Sequence, residues 1–243
     1  MAANKHRLDR FISLKTGIPK NKVRALLAQK RIRVNNKIAQ NVHDLIDQFS
    51  LVSLDENLLQ NRKPIYLMMH KPKGIISATK DDKHRTVIDL LRESNELLIT
   101  QDELATLHIV GRLDLNSSGL LLLTNDSAWS KRLMSPEHKV KKVYDVTVEN
   151  PISNACIEAF SEGMYFPFED VMTKPATLEK LSETLARVTL IEGKYHQIKR
   201  MFGRFRNPVL NLHRIKIGGL SLRLESGSEL KSGEVRALTK EEV

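Results

Sequence analysis

The residues best suited to chemistry lie in residues 111–126, where Arg112 and Asp114 stand two positions apart. An extended strand would place both side chains on one face, so the carboxylate would sit beside a cation. Apolar runs at 107–110 and 120–123 flank the pair. A carboxylate held between two buried strands can serve as a nucleophile or a general base. Surface ion pairs share this spacing, so spacing alone leaves both interpretations open.

The net charge of the chain is concentrated in residues 1–40. Residues 1–40 hold eleven Lys and Arg residues and one acid, Asp9, which accounts for the whole formal net charge of +10. The other residues balance 28 bases against 28 acids. A localised basic surface is typical of polyanion binders, because neutralising phosphates releases counterions. Apolar residues recur at helical spacing within this segment, which favours a folded module over a disordered tail.

Composition limits the class of protein. The 243 residues are 41% hydrophobic and 28% charged, which is ordinary for a globular protein. No apolar run approaches the roughly 18 residues that span a bilayer, and residues 1–7 lack the apolar core of a signal peptide. The single cysteine, Cys156, excludes an intrachain disulfide, and the histidines show no metal-ligand spacing. We expect a reduced, cytoplasmic protein without metal or cofactor.

Two domains are expected along the chain. Residues 1–57 read as helix, helix and hairpin, residues 58–64 as a linker, and residues 65–243 as a larger second domain. In the second domain, strand-like runs lie at 66–69, 107–110, 120–123, 143–148, 186–191 and 209–212, and helix-like stretches at 87–92, 129–134, 154–162 and 196–205. Strands and helices interleave without a strict β-α-β alternation, which predicts an α+β fold.

Residues 111–126, which read GRLDLNSSGLLLLTND, resemble the catalytic motif of the RsuA-type ribosomal-RNA pseudouridine synthases. Segments 66–74, 142–144, 192–202 and 212–219 are similar to the same subfamily in order and spacing. The resemblance covers nearly the whole chain and implies a large mixed, mainly antiparallel sheet with the cleft on one face. Residues 1–57 look like the alpha-L RNA-binding module of a small-subunit ribosomal protein.

The resemblance implies that the chain converts uridine to pseudouridine in ribosomal RNA. This reaction breaks the N1–C1′ bond, turns the base and joins C5 to C1′. It needs no redox change, group donor or energy source, in keeping with a chain that lacks a P-loop or dinucleotide fingerprint. Segments 173–176, 195–197 and 212–214 are similar to the small-subunit branch and favour a uridine of small-subunit RNA. A large-subunit synthase and a non-catalytic, RNA-binding assembly factor remain as alternatives.

Three residues are catalytic by resemblance. Asp114 is the nucleophile, which attacks either C1′ of the ribose or C6 of the uracil. Lys199 matches the basic residue that keeps the carboxylate charged, since a buried carboxylate tends to protonate. Adjacent helical residues point about 100° apart, so only one of Lys199 and Arg200 can face Asp114. Tyr144 matches a tyrosine that stacks on the flipped uracil, and its hydroxyl is a candidate for assisting removal of the C5 proton.

Other residues are expected to contact RNA. Arg112 should fill the space left by the flipped nucleotide or clamp its phosphate, because unstacking a base needs replacement contacts. Both His196 and His213 are expected to bind phosphate or to hydrogen bond within the fold, rather than to act as acid or base. The full expected set is Arg7, Arg10, Lys20, Lys22, Arg24, Lys30, Arg31, Arg33, Lys71, Lys73, Arg112, His196, Arg200, His213 and Arg214. The expected partner is ribosomal RNA or an assembly intermediate, bound by a monomer.

Overall fold

The computed structural model describes residues 5–94, 97–223 and 227–243. The chain divides into two compact units, Met1–Pro64 and Ile65–Val243. Each unit has a hydrophobic core of its own among the described residues.

The N-terminal unit packs two helices on small antiparallel sheets. Its elements are β1 (His6–Arg7), α1 (Leu8–Thr16), α2 (Lys20–Ala28), β2 (Ile32–Val34), β3 (Lys37–Ile38), β4 (Leu45–Ile46), β5 (Val52–Leu54) and β6 (Asn57–Gln60). Strand β1 pairs with β4, and the others lie in the order β3-β2-β5-β6. Gly17 ends α1 in the left-handed conformation (φ 74°), which glycine commonly adopts at the end of a helix. Helix α2 begins directly after Pro19, and proline is common at helix starts. Leu8, Ile12 and Val23 are fully buried between the helices and the sheet.

The sequence pattern predicts a linker from residue 58, but the sheet of the N-terminal unit continues to residue 60. Strand β6 pairs with β5 through residues Asn57, Leu58 and Gln60. The side-chain amide of Gln60 also donates to the backbone carbonyls of Asp47 and Ser50, at 2.8 Å each. These bonds fix the strand to the unit, so the predicted boundary at residue 57 is too early.

The second unit is built on one large sheet. Its elements are β7 (Tyr66–Lys71), α3 (Val87–Glu93), α4 (Gln101–Thr106), β8 (His108–Val110), β9 (Ser118–Thr124), α5 (Ser127–Met134), β10 (Lys142–Val148), α6 (Asn154–Glu162), β11 (Tyr165–Phe166), β12 (Val171–Met172), β13 (Thr177–Lys180), β14 (Leu185–Leu190), α7 (Gln197–Gly203), β15 (Val209–Ile217), β16 (Leu220–Ser221) and β17 (Val235–Ala237). Nine described strands form the sheet in the order β13-β14-β10-β15-β9-β7-β17, with β16 beside β15 and β8 beside β9.

The sheet is mixed and mainly antiparallel, which confirms the α+β prediction. Among the described strand pairs of this sheet, β9 and β15 alone are parallel. Strand β9 is covered on both faces, since Leu120, Leu121, Leu122 and Leu123 are all fully buried. Successive side chains of a strand point to opposite faces, so two cores meet at this strand. Each such leucine contributes roughly 1.5–3 kcal/mol of burial free energy, which makes β9 a rigid base for the loop before it.

The prediction that Arg112 and Asp114 share an extended strand is wrong. Gly111 has a φ of 74°, and residues 111–117 form a loop between β8 and β9. Strand β9 begins at Ser118, two residues earlier than the apolar run predicts. The position of Asp114 therefore depends on what holds this loop.

Gly119 should tolerate no larger residue, because a Cβ here would overlap the backbone N and O of Arg214, and its φ is 113°. We expect Gly119→Ala to lower the free energy of unfolding by more than about 2 kcal/mol, since the obstructing atoms are backbone and cannot turn aside. Urea denaturation would measure this change. Gly219→Ala is the matched control, because no atom lies within 4 Å of its added Cβ. Equal stability of the two variants would contradict the close approach of β9 and β15.

Candidate active site

The Asp114 carboxylate lies between two side chains from the start of α7. Its Oδ2 accepts a hydrogen bond from Nζ of Lys199 at 2.8 Å, and its Oδ1 is 3.4 Å from Nε2 of His196. The three side chains are between 29 and 36% exposed. A carboxylate that is paired with a cation and still open to solvent can be reached by a substrate, which a nucleophile requires.

Arg200 faces away from Asp114, so the structure places Lys199 and not its neighbour at the carboxylate. The Arg200 guanidinium makes two hydrogen bonds to Glu169, at 2.6 and 2.5 Å, and lies 3.8 Å from the centre of the Phe166 ring. The hydrogen bond from Arg200 lowers the pKa of Glu169. Arg200 thus ties the segment 165–172 to α7, which differs from the RNA contact predicted for it.

A small cavity opens beside Asp114. Its volume is about 100 Å³, and it is lined by Arg112, Leu113, Asp114, Ser117, Tyr144, Leu190, Gly193, Lys194, His196, Gln197, Ile198 and Leu212. Tyr144 comes from β10 and is buried, so its ring forms part of the wall. The structure therefore brings Asp114, Tyr144, Arg112 and His196 together, with Lys199 bound to the carboxylate from outside the lining.

Two buried cations hold the loop that carries Asp114. Lys71, at the end of β7, donates from Nζ to the carbonyls of Asp114 and Ser117, at 3.1 and 2.8 Å. Arg214, on β15, donates to the carbonyls of Gly111 at 2.5 Å and Arg112 at 3.5 Å. Loop carbonyls enclosed in protein cost free energy unless a donor reaches them. The two cations supply those donors.

Lys71 and Arg214 were both predicted to bind RNA, and their burial corrects this prediction. Their side chains are 0 and 1% exposed, and their donors point at backbone carbonyls inside the unit. Burial lowers the pKa of Lys71 to about 8, while the nearby charge of Asp114 opposes this shift. The guanidinium of Arg214 also lies 3.5 Å from the Tyr144 hydroxyl, so it touches both the loop and the cavity wall.

Short polar residues complete the support of the site, and sequence reasoning missed them. The Ser77 hydroxyl donates to the carbonyl of Leu113 at 2.8 Å and accepts from its amide at 3.0 Å. Gln197 is buried and donates to Glu192 at 2.8 Å, while its Oε1 accepts from the Lys194 amide at 3.0 Å. No feature of composition or spacing distinguishes such residues from ordinary polar residues of a loop, so only the structure reveals them.

The remaining RNA contacts predicted within the second unit, Lys73 and His213, are not part of the cavity lining. His213 bonds through Nδ1 to the Ser118 hydroxyl at 2.9 Å, and its ring is 5.1 Å from that of His70. Burial lowers the pKa of His213. Lys73 is exposed after β7. Neither His213 nor Lys73 lines the cavity beside Asp114.

The predicted bases of the N-terminal unit divide into two groups. Arg7 pairs with Asp9 at 2.6 Å, and Arg31 pairs with Asp55 at 2.7 Å. Arg31 is exposed in spite of its pair, as are all members of the second group, namely Arg10, Lys20, Lys22, Arg24, Lys30 and Arg33. The second group presents cations to solvent, as an RNA-docking surface requires.

The described residues contain neither a metal-binding cluster nor a helix that could span a membrane. No group of three or more His, Cys, Asp or Glu side chains in residues 5–94, 97–223 and 227–243 is arranged to hold a metal ion. Within the same ranges, no helix has both the length and the apolar character that crossing a bilayer demands.

Comparison with known proteins identifies the family. The model of the RNA pseudouridylate synthase family matches residues 65–203. The chain is 44% identical over 238 residues to the ribosomal small subunit pseudouridine synthase A of Pseudomonas aeruginosa, with 98% of each chain covered. It is 38% identical over 238 residues to the protein of the same name from Escherichia coli K12, again with 98% of each chain covered. A solved structure of a pseudouridylate synthase matches with a TM-score of 0.66 and 34% identity, over 97% of each chain.

This chain therefore belongs to the RNA pseudouridylate synthase family, as its sequence resemblance indicates, and is an RNA pseudouridine synthase.

The different partners of Lys199 and Arg200 predict different effects of substitution. Lys199→Met removes the cation 2.8 Å from Asp114. We expect the single-turnover rate to fall by at least about 100-fold, because losses of this size follow when a reacting group is misplaced or loses the charge that stabilises it. Arg200→Met is the control and should retain most of this rate, because its partner is Glu169. Rapid-quench assays at saturating RNA would measure both. A larger loss from Arg200→Met would show that the wrong residue has been placed at the carboxylate.

Proposed function

We propose that this protein isomerises one uridine of small-subunit ribosomal RNA to pseudouridine, with Asp114 as the nucleophile. The observation that carries this proposal is the Asp114–Lys199 pair at 2.8 Å beside a cavity walled by Tyr144. The small-subunit assignment is supported by the relative from Pseudomonas aeruginosa, which is named for that subunit and matches along 98% of the chain. We further propose a monomer that works in the cytoplasm on the RNA or on a partly assembled particle.

The cavity accommodates chemistry on a base that has left its stack. Flipping costs a few kcal/mol of unstacking, and contacts in the cavity must replace what the base loses. The face of the Tyr144 ring can stack on the uracil, and the exposed Arg112 can occupy the vacated space or hold a phosphate. Both residues line the cavity together with Asp114.

The bond changes balance without any added reagent. Asp114 attacks C1′ or C6, the N1–C1′ bond breaks, and the base turns so that C5 faces C1′. The new C5–C1′ bond then forms, the proton leaves C5, N1 gains a proton and the carboxylate is released. The cation of Lys199 offsets the charge of Asp114 while the carboxylate is free, and is still beside it when the carboxylate leaves.

Loss of the C5 hydrogen provides the decisive assay, because a protein that only binds RNA cannot release it. RNA transcribed with tritium at C5 of uridine should release tritium to water with the wild-type protein. We expect Asp114→Asn to reduce release to background, since the amide keeps size and hydrogen bonding but is not a nucleophile. RNA affinity and the unfolding transition should change little, which gives the control for folding.

The outcomes of this assay separate the alternatives. Release from large-subunit RNA alone would replace the proposed substrate, whereas no release from either RNA or from assembly intermediates would leave a binding protein. Substantial turnover by Asp114→Asn would reject the nucleophile.

We also propose that the N-terminal unit docks the enzyme on RNA through an alpha-L module. The two helices with their short sheets support this proposal. So do three exposed cations in the first half of α2, namely Lys20, Lys22 and Arg24. Val23, Leu26 and Leu27 form the buried side of the same helix, so these cations are left for a polyanion. Charges placed this way contribute affinity rather than chemistry.

Salt dependence measures this contribution in the full chain. The triple variant Lys20→Gln, Lys22→Gln, Arg24→Gln should lower the slope of log affinity against log salt by about two units, at roughly 0.7–0.9 per phosphate contact. The maximal single-turnover rate at saturating RNA should be retained. A matched control replaces the exposed Lys80, Lys83 and Lys139 of the second unit by Gln. If both triple variants kept the wild-type slope, the docking role of α2 would be rejected.

A further inference from the structure

Tyr195 is an exposed aromatic residue beside the active site, and it has no part in the steps proposed for Asp114, Tyr144 and Lys199. Its side chain is 73% exposed, although it directly precedes His196, which lines the cavity. The two rings are stacked nearly parallel, with centroids 3.9 Å apart and planes 16° apart. The imidazole therefore covers one face of the phenol ring, and the exposed fraction shows that the other face is open to solvent.

The backbone of His196 adopts an uncommon conformation beside this stack. Its φ and ψ are 48° and 31°, in the left-handed region that residues with a β-carbon rarely occupy. Strain of this kind persists where the surroundings hold it, and it often lies at functional sites. Here α7 holds it from within, because Arg200 donates to the Tyr195 carbonyl at 3.4 Å and Gln197 accepts from the Lys194 amide at 3.0 Å.

Tyr195 therefore presents an aromatic face that is separated from Asp114 by a single ring, that of His196. The His196 ring reaches the carboxylate with Nε2 at 3.4 Å, while its face supports Tyr195. Because both rings are already held, a planar ligand stacking on Tyr195 would pay little to order the side chain. The position of such a ligand would in turn be set relative to Asp114.

The surroundings of this ring indicate what the ligand is. Lys194 directly precedes Tyr195, lines the cavity and has a side chain that is 28% exposed, so its ammonium group can be reached by a phosphate of an RNA strand. When the target uridine leaves its stack, the base next to it loses a stacking partner. Unpaired RNA bases are commonly held by stacking on exposed tyrosine rings.

We propose that Tyr195 is the stacking surface for the unpaired base next to the target uridine. The sandwich of base, Tyr195 and His196 positions the RNA so that the flipped nucleotide enters the cavity at Asp114. This inference rests on the proposed function. It concerns a neighbouring nucleotide, whereas Tyr144 acts on the uracil itself.

Single-turnover tritium release with the full-length protein tests the inference. Tyr195→Leu keeps an apolar side chain but removes the aromatic face, so the RNA concentration at half-maximal rate should rise about 5- to 150-fold, the range expected for loss of one base–aromatic stack. The maximal rate should fall far less than this. Tyr195→Phe keeps the ring and should restore the affinity. Phe168→Leu is the matched control, since Phe168 is 96% exposed on the neighbouring segment 165–172 and is expected to leave the affinity within about twofold.

An RNA with one base removed identifies the stacked nucleotide. Substrates that are abasic on the 5′ or the 3′ side of the target are compared with the intact RNA. On one of the two, the wild type and Tyr195→Leu should have the same affinity, because the partner of the ring is already missing. That non-additivity is a result that a merely structural role of Tyr195 would not produce.

Several results would overturn the inference. They are an unchanged affinity in Tyr195→Leu, a loss confined to the maximal rate, an equal loss in Phe168→Leu, or full additivity with both abasic substrates. The wild-type reaction separates this failure from that of the proposed function. Absence of tritium release by the wild type contradicts the function, whereas release with an unaffected Tyr195→Leu variant contradicts the stacking surface alone.

Discussion

A row of three residues across the middle of the sheet determines the geometry of the active site. Gly119 on β9 is in register with Lys71 of β7 on one side and with Arg214 of β15 on the other. From these positions the two long side chains reach the carbonyls of the loop that begins at Gly111 and ends before β9. A buried cation is costly unless acceptors surround it, and an enclosed irregular loop is costly unless donors reach it. Each cost is offset by the other, so neither the loop nor the cations would be stable in this form alone.

The neighbours of the loop remove its remaining freedom. Ser77 binds both the amide and the carbonyl of Leu113, and the Gly74 amide donates to Leu115 at 2.8 Å. The residues on either side of Asp114 are thus fixed to the segment that follows β7. A nucleophile must be placed within a fraction of an ångström to be effective, and an irregular loop achieves this only when its backbone is bonded along its length.

The sequence predicts those parts of the molecule whose cause is local. The apolar runs of β7, β9, β10 and β15 identify the sheet, and the resemblance around Asp114 identifies the family and the reaction that it catalyses. It fails where residue type and residue environment disagree. Lys71 and Arg214 are predicted to contact RNA, yet both are enclosed in protein, which is uncommon for cations. The alternation of strands carries a signal of this burial, since Lys71 follows Leu67 and Met69 on one face of β7, and Arg214 follows Leu212 on one face of β15.

Other differences come from contacts between segments that are distant in sequence. The helical period does not tell which of Lys199 and Arg200 faces Asp114. The structure does, because Arg200 binds Glu169 and packs on the Phe166 ring. The extended strand predicted for Arg112 and Asp114 fails for the same reason. The spacing of the two residues gives no information about Arg214, whose guanidinium binds the carbonyls of Gly111 and Arg112 in the loop.

The cations of the site divide into two that bond to the backbone of the loop and one that pairs with the Asp114 carboxylate. Lys71 and Arg214 are fully enclosed and bond to backbone, so they determine where the loop lies. The Asp114–Lys199 pair joins residues 85 positions apart, but both side chains remain about one-third exposed. Pairs of that exposure stabilise a fold by only about 0–1 kcal/mol. The pair therefore contributes little to the stability of the fold, and its carboxylate stays accessible to solvent, while the enclosed cations keep the backbone beneath it in place.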